Sequence, residues 1–400
     1  MNSSHYLGKR FTVISVSVLL AVLAIGPIQV LEGGQLGSVR WAVYTDPRFG
    51  FSVEYPAGWY VYPRDDHPDY VGGTLVFSEA GLDSTVEPQI GARIEIGFYL
   101  VEYDPSQALA EWSQAYSEAI SAFAPRDVRV QSVSQIRVGG VEAFREEGAS
   151  PLTQYTYVNI PHQRIVWFVW MNRMGGEYGT LFDHVVGSLR FSENTPGTLQ
   201  EVYGQSFQPI PLRGSLGGEG TNAGQSYPAP LGISADYRVP VRAPWTRYIL
   251  CGNINAPVCD GTHSGSAAKA IDISLPQNTS VVNSATSRTN SAGWNPYGYG
   301  NLVTMYDWRN NYVAYYAHLS SFNWSNLFPP EGWVSQGIEI GRSGCTGNCG
   351  GPHLHFHVRT TGWVAVNLAG MPHLTLYSSY PNCGHSTCPG SFQCTCGRVY

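Results

Sequence analysis

Lysine is nearly missing from this chain: of 23 basic residues only Lys9 and Lys269 are lysines, and the arginines are scattered singly. With charged residues at 13% and a net charge of −6, there is no basic patch or stripe to follow a nucleic-acid backbone, so nucleic acid is not an expected partner. Cysteine is absent from the first 250 residues. All eight (Cys251, Cys259, Cys345, Cys349, Cys383, Cys388, Cys394 and Cys396) fall in the last 150. An even number so confined suits disulfides formed in an oxidising compartment. Cys251 with Cys259 and Cys345 with Cys349 would tie short loops, and the last four would close two bridges in a Cys-rich tail at 371–400. The spacing of that tail departs from the paired hooks of structural zinc sites. A second long apolar run is also missing. The single one, Phe11 to Leu31, follows Lys9 and Arg10, which gives residues 1–34 the order of a signal peptide or an N-terminal membrane anchor through residues 11–31. The rest of the chain is then extracellular or in the cell envelope. Finally, no His-Glu-x-x-His occurs, which excludes the helical zinc proteases that use its Glu as base.

What is abundant is apolar and turn-forming: 43% hydrophobic residues, with many Gly, Tyr and Trp. Such a chain folds, and it favours strands and turns over helices. Four hundred residues allow two or three domains. From 40 to 191, apparent strands surround a helical stretch from Pro105 to Phe123, and Tyr178 to Leu189 reads as a closing helix. This order predicts an α+β domain, an antiparallel sheet with helices on one face. Its opening, Phe51-Ser52-Val53-Glu54-Tyr55-Pro56-Ala57-Gly58-Trp59, and its close, Leu181 to Phe191, resemble PsbP-like domains. His67 beside Asp65, Asp66 and Asp69 reads as a solvated turn rather than a metal cluster. Residues 192–236 mix Pro, Gly and Ser and read as a linker long enough to let its flanking domains move independently.

From 237 to 370 short strand-like segments follow one another: Ala270 to Ser274, Ser280 to Ala285, Asn301 to Asp307, Tyr312 to His318, Ile338 to Gly341 and His353 to Val358. No long helix is expected among them, so this domain is all-β and antiparallel. Its last strand alternates His353, His355 and His357 on one face with Leu354, Phe356 and Val358 on the other. Imidazoles about 6.6 Å apart on one face cost desolvation unless their nitrogens find partners, and a metal is one such partner. His263, Asp272 and His318 are the candidates to join them. Two imidazoles, one carboxylate and an open position suit a catalytic zinc.

The stretches Tyr315-Tyr316-Ala317-His318-Leu319-Ser320, Gly337 to Gly344 and Gly351-Pro352-His353-Leu354-His355-Phe356, with Gly298 to Val303 before them, resemble the lysostaphin-type (LytM-like) zinc endopeptidases. Those enzymes hydrolyse peptide bonds in bacterial peptidoglycan. The resemblance implies Zn2+ held by His263, Asp272 and His355, with His318 and His353 as the two catalytic histidines. One would take a proton from the attacking water and the other would steady the tetrahedral oxyanion. It also implies a peptidoglycan or Gly-rich peptide substrate; a monomer is expected. The chain departs from the family pattern twice. His263 and Asp272 are nine residues apart, where His-x-x-x-Asp is usual, and His357 stands where Glu is common. His357 is expected behind the ligands or exposed rather than as a ligand. A disulfide between Cys345 and Cys349 would stiffen the rim of the site. Trp294, Tyr297, Tyr299 and Trp308 read either as groove walls or as packing between sheets. The alternative to an active enzyme is a catalytically inactive wall-binding or regulatory module that keeps the fold.

Overall fold

The computed structural model describes residues 29–30, 39–64, 71–81, 91–121, 128–150, 153–209, 233–242, 247–252, 269–376 and 397–399. The export or anchor segment apart from Gln29–Val30, His67 with its aspartates, His263, Cys259 and the four tail cysteines lie outside them. No helix among the described residues is long and apolar enough to cross a membrane.

The N-terminal lobe is built on an antiparallel sheet. Its strands run in the spatial order Arg129–Val138, Val141–Ala149, Gln154–His162, Ile165–Met171, Arg93–Phe98, Leu75–Ser78 and Tyr60–Tyr62. Gln29–Val30 adds a parallel pairing at the outer edge. The central strand Ile165–Met171 (IVWFVWM) is apolar at every position and buried throughout. Such a strand needs cover on both faces. Trp167 and Val169 pack with Leu181, Phe182 and Val185 of the helix Gly176–Ser188. Phe168 and Trp170 point the other way, into a cluster with Leu109, Trp112 and Tyr116 of the helix Leu109–Ser121. The two helices therefore cover opposite faces, which corrects the expectation of helices on one face. Chain order alone does not say which face a helix takes; the doubly apolar strand decides it.

The C-terminal lobe is all-β. One antiparallel sheet runs in the order Arg288–Asn295, Gly300–Asp307, Tyr312–Ala317, His353–Thr360, Ile271–Ser274, Arg247–Gly252, Gly397–Val399 and Leu374–Leu376. A second, three-stranded sheet orders Ser280–Val282, Glu339–Ser343 and Leu319–Phe322. The only helix between 237 and 368 among the described residues is the four-residue Trp324–Leu327. The polar strand Arg288–Asn295 escapes a reading based on apolar alternation.

The two lobes share a buried interface, and this corrects the expectation that they move independently. Trp294 stacks on Phe168 with ring centroids 4.4 Å apart. The Tyr116 hydroxyl donates to Trp294 O at 2.7 Å, and Trp170 Nε1 donates to Pro296 O at 2.9 Å. Val71 and Phe322 exchange backbone hydrogen bonds at 3.2 and 2.9 Å. The segment after Phe191 also packs: it forms the helix Leu199–Tyr203, and Phe207 stacks on Trp324 at 5.3 Å. Removing the Trp294 ring leaves a cavity between the two sheets, so Trp294→Ala is expected to cost about 3–5 kcal/mol. Urea denaturation checks this. A single cooperative transition moved to lower denaturant is expected; a shift confined to one of two separate transitions would contradict a shared core.

Candidate active site

The strand His353–Thr360 lies between Tyr312–Ala317 and Ile271–Ser274, with Asp272 opposite His355 on one side and Ala317 opposite His355 on the other. The alternation read from the sequence holds. Leu354, Phe356 and Val358 join the apolar core, which frees the imidazole face to meet its cross-strand neighbours. Asp272 sits between core residues Ile271 and Ile273, and the pleat turns its carboxylate to the face that carries the histidines.

His355 Nδ1 is 3.0 Å from Asp272 Oδ1, and His353 Nε2 is 3.8 Å from the same oxygen. His355 Nε2 lies 3.0 Å from His357 Nδ1. His357 is buried at 1% exposure and stacks on Tyr315 at 4.2 Å. It sits behind His355. The ring partner of His357 was not legible from sequence, although Tyr315 stands opposite it in register.

His318 arrives differently. The chain leaves one sheet at Ala317 and enters the other at Leu319, and His318 makes the turn with φ 60°, in the left-handed region that non-glycine residues seldom adopt. Its backbone N–H is held by Tyr299 O at 2.9 Å. This places its ring 4.7 Å from His353 and 5.8 Å from His355, centroid to centroid. Burial, then the neighbouring His353 and His355 rings, pushes its pKa well below the ordinary histidine range. It is therefore neutral at neutral pH.

Cys345 and Cys349 are disulfide-bonded. The loop they close and the residues just after it supply two carbonyls to the site. Thr346 O lies 2.7 Å from His318 Nδ1, and Gly351 O lies 2.7 Å from His353 Nδ1. A carbonyl only accepts, so each Nδ1 carries the proton and each Nε2 presents a lone pair.

Of the four aromatics singled out by sequence, Trp294 and Tyr297 lie in the lobe interface, and Tyr299 is buried 5.4 Å from His355. Only Trp308 is exposed. Sequence reasoning missed two groups: Arg93 and Glu95, a buried ion pair of the N-terminal lobe whose N···O distance is 2.8 Å. Gly347 N donates to Glu95 Oε1 at 2.7 Å, and Arg93 Nη1 donates to Cys349 O at 2.8 Å. The signal that could have found them was two opposite charges two residues apart in an otherwise apolar strand.

Asp272, His318, His353, His355 and His357 thus meet in one place. His263 lies outside the described residues, and among those described no three His, Cys, Asp or Glu side chains form a group able to hold a metal ion.

Residues 266–368 match peptidase family M23. The DD-carboxypeptidase/endopeptidase Mpg of Neisseria meningitidis is 39% identical over 100 residues, 25% of this chain and 22% of that protein. The cell division protein DipM of Caulobacter vibrioides is 35% identical over 96 residues, 24% of this chain and 15% of that protein. The match thus spans less than a quarter of these curated relatives. Among solved structures, the catalytic domain of lysostaphin from Staphylococcus simulans is 25% identical, covering 31% of this chain and 87% of that chain at a TM-score of 0.24. Cyanobacterial PsbP from Synechocystis sp. PCC 6803 is 14% identical, covering 42% of this chain and 100% of that chain at a TM-score of 0.27.

Proposed function

We propose, because residues 266–368 form a domain of peptidase family M23, that the chain is an exported, zinc-dependent endopeptidase that hydrolyses peptide bonds in bacterial peptidoglycan. The reading rests on one observation above the others: a carboxylate oxygen and an imidazole nitrogen of adjacent strands, 3.0 Å apart, beside two further imidazoles whose Nδ1 protons are pinned on carbonyls. The named relatives, an endopeptidase and a cell division protein, favour a wall substrate over general protein.

The donor set suits zinc. Asp272 and His355 bring oxygen and nitrogen, the ligand types zinc prefers, and His357 Nδ1 against His355 Nε2 fixes the ring while leaving His355 Nδ1 for the ion. His263 is the proposed third ligand. Bound there, zinc would acidify water and polarise the scissile carbonyl. The chain's own histidines do the rest. His318 and His353 divide two tasks: one accepts a proton from the attacking water on its free Nε2 and returns it to the leaving amine, and the other, after taking a proton from solvent on its Nε2, donates to the developing oxyanion. The pinning of Nδ1 keeps both rings from presenting the wrong nitrogen.

Incubating the exported form with purified cell walls, followed by mass spectrometry of the released fragments, tests this. New amino termini within wall peptides are expected; they should vanish with a chelator and return on adding zinc. The cleaved bond identifies the substrate within the wall. Retention on walls with no released fragments would instead support a catalytically inactive binding module.

A further inference from the structure

We propose that the N-terminal lobe completes the active site, with Arg93 and Glu95 as positioning residues that hold the segment from Cys345 to Gly351 and, through its carbonyls, the catalytic histidines. This rests on the proposed peptidase function and goes beyond it, because it gives a lobe outside the peptidase domain a part in catalysis.

Both side chains project from the strand Arg93–Phe98 and are 1% and 0% exposed. A buried ion pair is a poor way to gain stability, since desolvation offsets most of its attraction. Burial pushes the Glu95 carboxyl up to about 7 and lowers Arg93, each against the pull of the other. What such a pair does supply is direction, and both partners spend theirs on one loop of the other lobe. Glu95 Oε1 accepts from Gly347 N at 2.7 Å, while Thr74 Oγ1 donates to Oε2 at 3.2 Å. Arg93 Nη1 donates to Cys349 O at 2.8 Å and lies 3.3 Å from Cys345 Sγ. The neighbouring peptide is held as well: Asn301 N donates to Thr346 Oγ1 at 2.9 Å, and Asn301 Nδ2 reaches back to Gly72 O of the N-terminal lobe at 2.8 Å.

Thr346, whose carbonyl takes the His318 proton, thus directly precedes the residue anchored on Glu95. Gly351, whose carbonyl takes the His353 proton, lies two residues beyond the one anchored on Arg93. The disulfide fixes the ends of the loop to each other. The ion pair ties the loop to the N-terminal lobe, adding to the contacts of Asn348 N with Gly298 O and of Thr346 Oγ1 with Leu319 O, both 2.8 Å, that hold it within its own lobe.

The informative variant is the apolar pair Arg93→Met with Glu95→Leu, because replacing both partners together is often neutral for stability while removing every directional contact that their side chains make to the loop. In the full-length protein it is expected to lower kcat on purified peptidoglycan about 10- to 100-fold, with KM and bound zinc unchanged. Glu95→Gln, which keeps an oxygen for Gly347 N–H, is expected to retain most of the rate. Long-range 15N–1H spectra of His318 and His353 should be a single Nδ1–H tautomer in the wild type and a mixture in the double variant. Wild-type kcat in the double variant would overturn the proposal, as would a loss matched by loss of folded protein. Unchanged imidazole spectra in the double variant would overturn it whatever the activity. Absence of hydrolysis by the wild-type protein would instead count against the peptidase reading and leave the spectra to decide this one.

Discussion

His353→Ala is expected to lower peptidoglycan hydrolysis about 10²–10⁴-fold, the range of a positioned acid or base, while the protein still binds zinc. His355→Ala is expected to lose both. The two residues stand on one face of one strand, two positions apart, so neighbourhood does not explain the difference. Their nitrogens do. His355 Nδ1 faces Asp272 Oδ1 at 3.0 Å and its Nε2 is backed by His357, whereas His353 Nδ1 is used on Gly351 O and its Nε2 stands 3.8 Å from Asp272. Removing the His355 ring also takes away the imidazole 3.0 Å from the Asp272 carboxylate. Metal analysis alongside kcat separates the cases. If His353→Ala loses zinc as well, His353 is a ligand and the two histidines do not divide their roles in this way.

Gly347→Ala is expected to have an effect of similar size through the backbone. Gly347 has φ +72°, and a Cβ there would lie 2.4 Å from Gly300 N and 2.5 Å from Gly298 O. Those are main-chain atoms of the facing turn, with no flexible side chain to give way. The loop must therefore retreat, taking Thr346 O from His318 and breaking the Gly347 contact with Glu95. A displacement of about 1 Å costs roughly 100-fold in rate, and the strained backbone costs about 1–3 kcal/mol more in stability. Gly362→Ala is the control, since the nearest atom to its Cβ would be Thr360 Oγ1 at 3.6 Å and its φ is ordinary. Rates and thermal midpoints of both variants decide the matter. A Gly347→Ala enzyme as fast and stable as the Gly362→Ala control would show that the loop does not constrain the site.

The histidine strand was legible because strand geometry has a period of two: His353, His355 and His357 had to share a face once Leu354, Phe356 and Val358 took the core. Asp272 was legible for the same reason, as a carboxylate between two core isoleucines. His318 was found through its surrounding motif, but its left-handed turn between sheets was not, because φ at a histidine leaves no mark in composition. The helices were found and their faces were not. The side of the sheet that each covers depends on tertiary partners, among them Trp294, more than a hundred residues away, for the face of Leu109–Ser121.

By itself, then, the sequence determined which side chains share a face and a C-terminal histidine site, both of which follow from local alternation and short spacing. Only the tertiary structure decided that the lobes share one core, that His357 backs His355, and that Arg93 and Glu95 grip the loop beside the site. The contacts between the lobes join distant positions, Glu95 with Gly347 being 252 residues apart. Pairing at such distances is set by how whole sheets pack, for which no local pattern of residues stands in.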